Sequence, residues 1–145
     1  MFSAKTTIPA NERLIFALDV PDAAAAKQLV EKLGDAVVFY KIGLELFMGG
    51  EYFDLIDWLV ARGKKVFVDL KFFDVPETVR AAVRALSHRG ADMCTVHGNQ
   101  GMMAAAAQDK GIGAVIVNGA LTWRGGAHTG ARQGQVIVRP PRPTA

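Results

Sequence analysis

A fold of the α/β class, built on a parallel sheet, is predicted by three observations. Short apolar runs of strand length recur along the chain, stretches with three- and four-residue apolar spacing separate them, and a glycine closes most of the units. Strands that alternate with helices pair in parallel through right-handed crossovers.

Residues 14–19 form the first apolar run, followed by Pro21-Asp22 as a helix start, helical spacing over residues 23–33, and Gly34 as the stop. The second unit repeats the first. Residues 37–42 read as a strand, and residues 44–62 as a helix interrupted at Gly49-Gly50 and ended by Gly63. Residues 65–71 are the third strand. Pro76-Glu77 opens the next helix, which turns Val79, Ala82, Val83 and Leu86 inward and ends at Gly90. Residues 93–97 are the fourth strand, residues 101–110 an alanine-rich helix, and residues 114–117 would begin a fifth strand. Met102 and Met103 read as core filler, and the single cysteine, Cys94, as a small apolar strand residue.

At 145 residues, half of them hydrophobic, the composition is that of a globular protein with one core. Residues 1–12 are mixed and polar, so they read as a short flexible lead without the apolar stretch of a signal peptide. No run is long and apolar enough to span a membrane, and one cysteine makes no internal disulfide; the expected compartment is the cytoplasm. The formal charge of +3 divides unevenly. Residues 1–110 hold all 14 acids and 13 of the 17 Lys and Arg, leaving −1, whereas residues 111–145 hold four arginines, seven glycines and three prolines with no acid. The expected organisation is therefore a lead (1–12), a partial barrel domain (13–117) and an atypical Gly/Arg/Pro-rich tail (118–145) that is disordered or out of frame, or else a divergent basic extension. Four arginines and one tryptophan over the tail make too thin a basic surface to predict a nucleic-acid partner.

The residues that carry chemistry cluster where the third strand ends, in Val66-Phe67-Val68-Asp69-Leu70-Lys71-Phe72-Phe73-Asp74-Val75-Pro76. On a strand, Phe67, Asp69 and Lys71 share one face and Val66, Val68 and Leu70 the other, with Asp74 just beyond and able to fold back toward Lys71. A lysine flanked by two aspartates keeps its charge in a partly dry pocket, where it can stabilise a carbanion and then protonate it. A solvated ion-pair cluster would use the same residues. What separates the two readings is phase: Asp19, Lys41, Asp69 and His97 fall at successive strand ends, 22, 28 and 28 residues apart. They share a face with Ala17, Phe39, Phe67 and Thr95, leaving Leu18, Tyr40, Val68 and Val96 toward the helices. An open doubly wound sheet would concentrate its ligand groups at a switch point, whereas a (β/α)8 barrel collects them from the ends of many strands. The pattern predicts a TIM-barrel type of fold, truncated to about its first four to five β/α units, because a full barrel takes more than about 200 residues.

Phe16-Ala17-Leu18-Asp19, Tyr40-Lys41-Ile42-Gly43, the run Asp69 to Pro76, and Val96-His97-Gly98 resemble orotidine 5′-phosphate decarboxylase in order and spacing over about residues 13–110. Relatives that act on sugar phosphates with Mg²⁺ share the Asp-x-Lys-x-x-Asp run but carry a metal-binding Glu in the second-strand region, where this chain has Lys41. The resemblance implies removal of CO₂ from orotidine 5′-phosphate to give UMP, in pyrimidine synthesis, with no metal or organic cofactor. It implies Lys71 as proton donor, Asp69 beside the departing carboxylate, and Asp19 and Lys41 on the ribose hydroxyls. Asp74 and Thr78 would reach the neighbouring subunit's site in a homodimer. His97 matches the family as a substrate-side residue, though a lone imidazole at a strand end also serves as a structural hydrogen-bonding group. The phosphate-gripping loops that the family places after its later strands have no convincing counterpart here. Two further readings stand beside the decarboxylase: a non-catalytic α/β remnant that dimerises or binds a nucleotide weakly, and a sugar-phosphate decarboxylase relative.

Overall fold

The computed structural model describes residues 9–98, 100–107, 114–117, 120–124 and 127–128. Residues 1–8 of the expected lead, and the part of the expected tail outside two short strands, lie outside the described residues.

Four strands, β1 (Ile15–Ala17), β2 (Phe39–Gly43), β3 (Lys65–Phe72) and β4 (Met93–Val96), form one parallel sheet in the order β1-β2-β3-β4. Helices α1 (Ala23–Leu33), α2 (Leu44–Met48), α3 (Tyr52–Ala61), α4 (Pro76–His88) and α5 (Gln100–Ala107) occupy the connections, as the periodicity predicts. The local signals act where expected. Asp22 accepts a hydrogen bond from the Ala25 N–H at 2.8 Å and caps α1, Gly34 closes it at φ 54°, and Pro76 opens α4 after Val75, which is extended as pre-proline residues are.

The break between α2 and α3 is steric. A Cβ at Gly49 would run into the Pro21 carbonyl oxygen, and the chain then passes through left-handed backbone at Gly50 (φ 82°) and Glu51 (φ 52°). Gly49→Ala is expected to cost about 2 kcal/mol of stability, read as a lowered urea midpoint.

The main core lies between sheet and helices. Tyr40, Ile42, Val66 and Val68 from the sheet, with Leu18 just past β1, meet Ala26 and Val30 of α1, Leu46 of α2, Leu55, Ile56 and Leu59 of α3, and Leu86 of α4. A second cluster joins Val79 and Val83 to Met102 and Ala106, with Val96 packed against it. The helix-facing phase read from the alternation is thus the buried one. Cys94 packs against both clusters, and burial pushes its thiol up to about 11, which suits an unreactive core residue.

Two features differ from expectation. Residues 114–117 do form a strand, β5 (Ala114–Val117), but it pairs antiparallel with β6 (Ala120–Arg124), which in turn pairs antiparallel with β7 (Ala127–His128). Among the described residues it does not extend the parallel sheet as a fifth barrel strand. Only two residues separate β5 from β6, enough for a hairpin and far too few for a crossover helix. Both β6 and β7 fall inside the segment read as an atypical tail. At the other end, residues 10–12 form a 3-10 turn, and Glu12 pairs with Lys65 at 2.6 Å, which tethers the end of the expected lead to the start of β3.

Candidate active site

The sheet face turned away from the helices carries the charges. Asp19 lies two residues past β1, Lys41 sits on β2, and Asp69 and Lys71 sit on β3. Lys41 Nζ is 3.4 Å from Asp19 Oδ1 and 3.6 Å from Asp69 Oδ2, and Lys71 Nζ is 3.0 Å from Asp69 Oδ1. Charges therefore alternate along one row: Asp19, Lys41, Asp69, Lys71.

Asp69 is the hub. Its side chain is 16% exposed, against 65% for Lys71, so the lysine's ammonium stays open to a ligand while its counter-ion is held. Burial by itself would raise the Asp69 pKa. Hydrogen bonds from Lys71 and from the Thr95 hydroxyl (3.0 Å), with the charges of Lys71 and Lys41, together outweigh it and hold the carboxyl below its ordinary value. A carboxyl with a lowered folded pKa adds stability above its unfolded pKa of about 3.9 and loses that contribution as pH falls through the folded value. Urea midpoints are expected to fall as pH drops through and below about 4, where the unfolded carboxyl takes up its proton, and Asp69→Asn to flatten that fall; equal slopes for the two proteins would contradict it.

Lys71 reaches the row through unusual backbone. Its φ is 51°, a left-handed conformation that strains a lysine by about 1 kcal/mol. The sheet register explains how this comes about. Val68 pairs with Cys94 and Phe72 with Val96, so Asp69, Leu70 and Lys71 together oppose the single residue Thr95. This bulge re-aims the chain just where the lysine emerges.

Other expected site residues stand apart. Asp74 does not fold back onto Lys71: its carboxylate accepts from the Val75 N–H at 2.6 Å, and the extended Val75 before Pro76 carries the chain off into α4. Thr78 is exposed in the first turn of α4. His97 is exposed just past β4, its ring edge-on to Phe73 at 4.6 Å and its N–H bonded to the Phe72 carbonyl at 2.9 Å. No ion pair joins either Asp74 or His97 to the row.

Two contributors carried no role in the sequence reading. Thr95 was visible only as a residue on the right face; its place 26 positions after Asp69, in the register that pairs Phe67 with Met93, was the available signal. Tyr52 is buried behind β2 and donates its hydroxyl to the Ile42 carbonyl at 3.0 Å; burial, then the Asp69 charge, raises its pKa. Among the described residues no group of three or more His, Cys, Asp or Glu is arranged to hold a metal ion, and no helix is long and apolar enough to cross a membrane.

Residues 12–138 match the model of the orotidine 5′-phosphate decarboxylase / HUMPS family, a match that runs past residue 117 into the expected tail. The orotidine 5′-phosphate decarboxylase of Methylococcus capsulatus is 61% identical over 121 residues, covering 83% of this chain and 50% of that protein. Its counterpart in Xanthomonas oryzae pv. oryzae is 51% identical over 115 residues, covering 79% and 47%. The crystal structure of the Lactobacillus acidophilus enzyme superposes with a TM-score of 0.59 at 38% identity, covering 65% of this chain and 43% of that one. That of Pyrococcus horikoshii OT3 gives 0.57 at 29%, covering 63% and 45%. The chain spans about half the length of the curated relatives it matches.

Proposed function

From the premise that this chain belongs to the orotidine 5′-phosphate decarboxylase / HUMPS family, we propose that it serves the decarboxylation of orotidine 5′-phosphate to UMP and CO₂. The alternating row Asp19–Lys41–Asp69–Lys71 is the observation that carries this reading. The C6–carboxylate bond breaks, CO₂ leaves, and the bonding electron pair stays on C6 as a carbanion. The Lys71 ammonium stabilises that charge and delivers a proton to C6; water then reprotonates the amine. Asp69 lies beside the carboxylate that leaves, and its ion pair at 3.0 Å holds the Lys71 ammonium in place until the carbanion forms. Asp19 and Lys41 take the ribose hydroxyls.

Lys41 favours this chemistry over that of the metal-using relatives. An ammonium 3.6 Å from Asp69 repels a divalent cation from the carboxylate that would have to bind it. The reaction needs no organic cofactor. We assign the enzyme to pyrimidine synthesis in the cytoplasm and its working form to a homodimer in which Asp74 and Thr78 act on the neighbouring subunit's substrate; both are exposed, and the Asp74 carboxylate is bonded to the Val75 N–H and not to Lys71, which supports that role. His97 completes the substrate side of β4. The acid-free composition after residue 117 is the ground for a tail outside the barrel pattern, the family match that runs to residue 138 weighs against it, and a DNA read downstream for a frame encoding later β/α units tests that origin.

Release of CO₂ from orotidine 5′-phosphate by the purified chain tests the activity. Turnover that requires Lys71 supports it; folded protein with none sinks it in favour of a non-catalytic remnant. Sedimentation of the same sample tests the dimer.

A further inference from the structure

We propose that Thr95 is a positioning residue: its hydroxyl ties the Asp69 carboxylate to the left-handed backbone of Lys71 and so aims the lysine's ammonium. The proposal rests on the decarboxylase reading for what is aimed at, and on geometry alone for the aiming. The slip between β3 and β4 leaves three residues of one strand facing Thr95. Inside such a bulge the ladder no longer supplies an acceptor to every N–H. The Lys71 N–H instead donates to Thr95 Oγ1 at 2.8 Å, and the same hydroxyl donates to Asp69 Oδ1 at 3.0 Å.

A hydroxyl has one proton to give and lone pairs to accept with, so both bonds form at once and each fixes the direction of the other. Asp69 Oδ1 also receives the Lys71 ammonium at 3.0 Å. The loop therefore closes through Lys71 backbone, Thr95 hydroxyl, Asp69 carboxylate and Lys71 side chain. Lys71 is set at both ends, its φ of 51° by the N–H bond and its ammonium by the carboxylate. Thr95 is half-buried and on the same phase as Asp69, so a valine fits the site in shape while removing both bonds.

The test compares Thr95→Val, Thr95→Ala and Thr95→Ser in the full chain, each first shown to fold by circular dichroism. With valine, or with alanine should valine pack badly, amide exchange at Lys71 is expected to speed up by about tenfold or more, since a bond to a charged network is lost. The Asp69 carboxyl, followed by carbon NMR, should titrate at higher pH, and kcat should fall about tenfold with KM held within about twofold. Serine should restore all three readouts. Unchanged Lys71 exchange and Asp69 titration in the hydroxyl-free variants, or a serine variant that behaves like valine, would overturn the proposal. If the unaltered chain shows no decarboxylation, the decarboxylase reading fails by itself, and exchange and titration still decide the role of Thr95.

Discussion

On the proposed decarboxylase reading, Lys71→Ala is expected to lower orotidine 5′-phosphate decarboxylation by at least about 10⁴-fold, because one side chain would supply both the proton and the fixed charge against which the carbanion forms. KM should change far less than kcat, since the ammonium matters most when charge has developed on C6. The fold should survive the change. Lys71 is 65% exposed and its partner Asp69 keeps Thr95 and Lys41. Comparison with Lys71→Gly separates chemistry from backbone strain. Both variants lack the amine, but glycine accepts a φ of 51° without a Cβ penalty, so Lys71→Gly should unfold at higher urea than Lys71→Ala by about 1 kcal/mol. Steady-state rates together with urea unfolding check the pair, and equal stability of the two would argue against a strained lysine.

Leu55→Ala should have the largest effect on stability, about 3 to 4 kcal/mol. Leu55 is fully buried on α3, in the core cluster that α3 shares with Tyr40, Ile42, Val66 and Val68 of β2 and β3. Removing it loses apolar burial and leaves a cavity under the two strands that carry Lys41, Asp69 and Lys71. The urea midpoint should fall steeply. Activity at low temperature, where the variant remains folded, should fall less than in Lys71→Ala; a loss of rate without a loss of stability would contradict this account.

Much of this architecture was legible because it depends on neighbours in sequence. Asp22, Gly34, Pro76 and Gly90 punctuate the helices, since capping, left-handed backbone and a missing N–H act within a few residues. The two faces of the sheet were legible for the same reason. A strand alternates sides at every residue, so Asp19, Lys41 and Asp69 had to share a face if Tyr40 and Val68 were buried. Family membership was legible as well, from the spacing of those motifs.

Other features depend on which strands meet, and no local pattern specifies that. The run Ala114–Val117 reads as a strand whatever its partner; pairing with Ala120–Arg124 made it a hairpin instead of a fifth parallel strand. Asp74 stood three residues from Lys71 in sequence, yet the Val75 N–H captured its carboxylate as the chain turned into α4. Within the run Asp69 to Asp74, the fold pairs Asp69 with Lys71 and gives Asp74 a backbone partner of its own.

By itself the sequence determined the class of fold, the buried face of each parallel strand and the row of charges on the other, because alternation and capping are set by adjacent residues. Only the tertiary structure decided how Lys71 is presented. The two-residue slip between β3 and β4, the left-handed lysine and the Thr95 bridge arise from contact between strands 26 positions apart, where packing overrides what either strand would do alone.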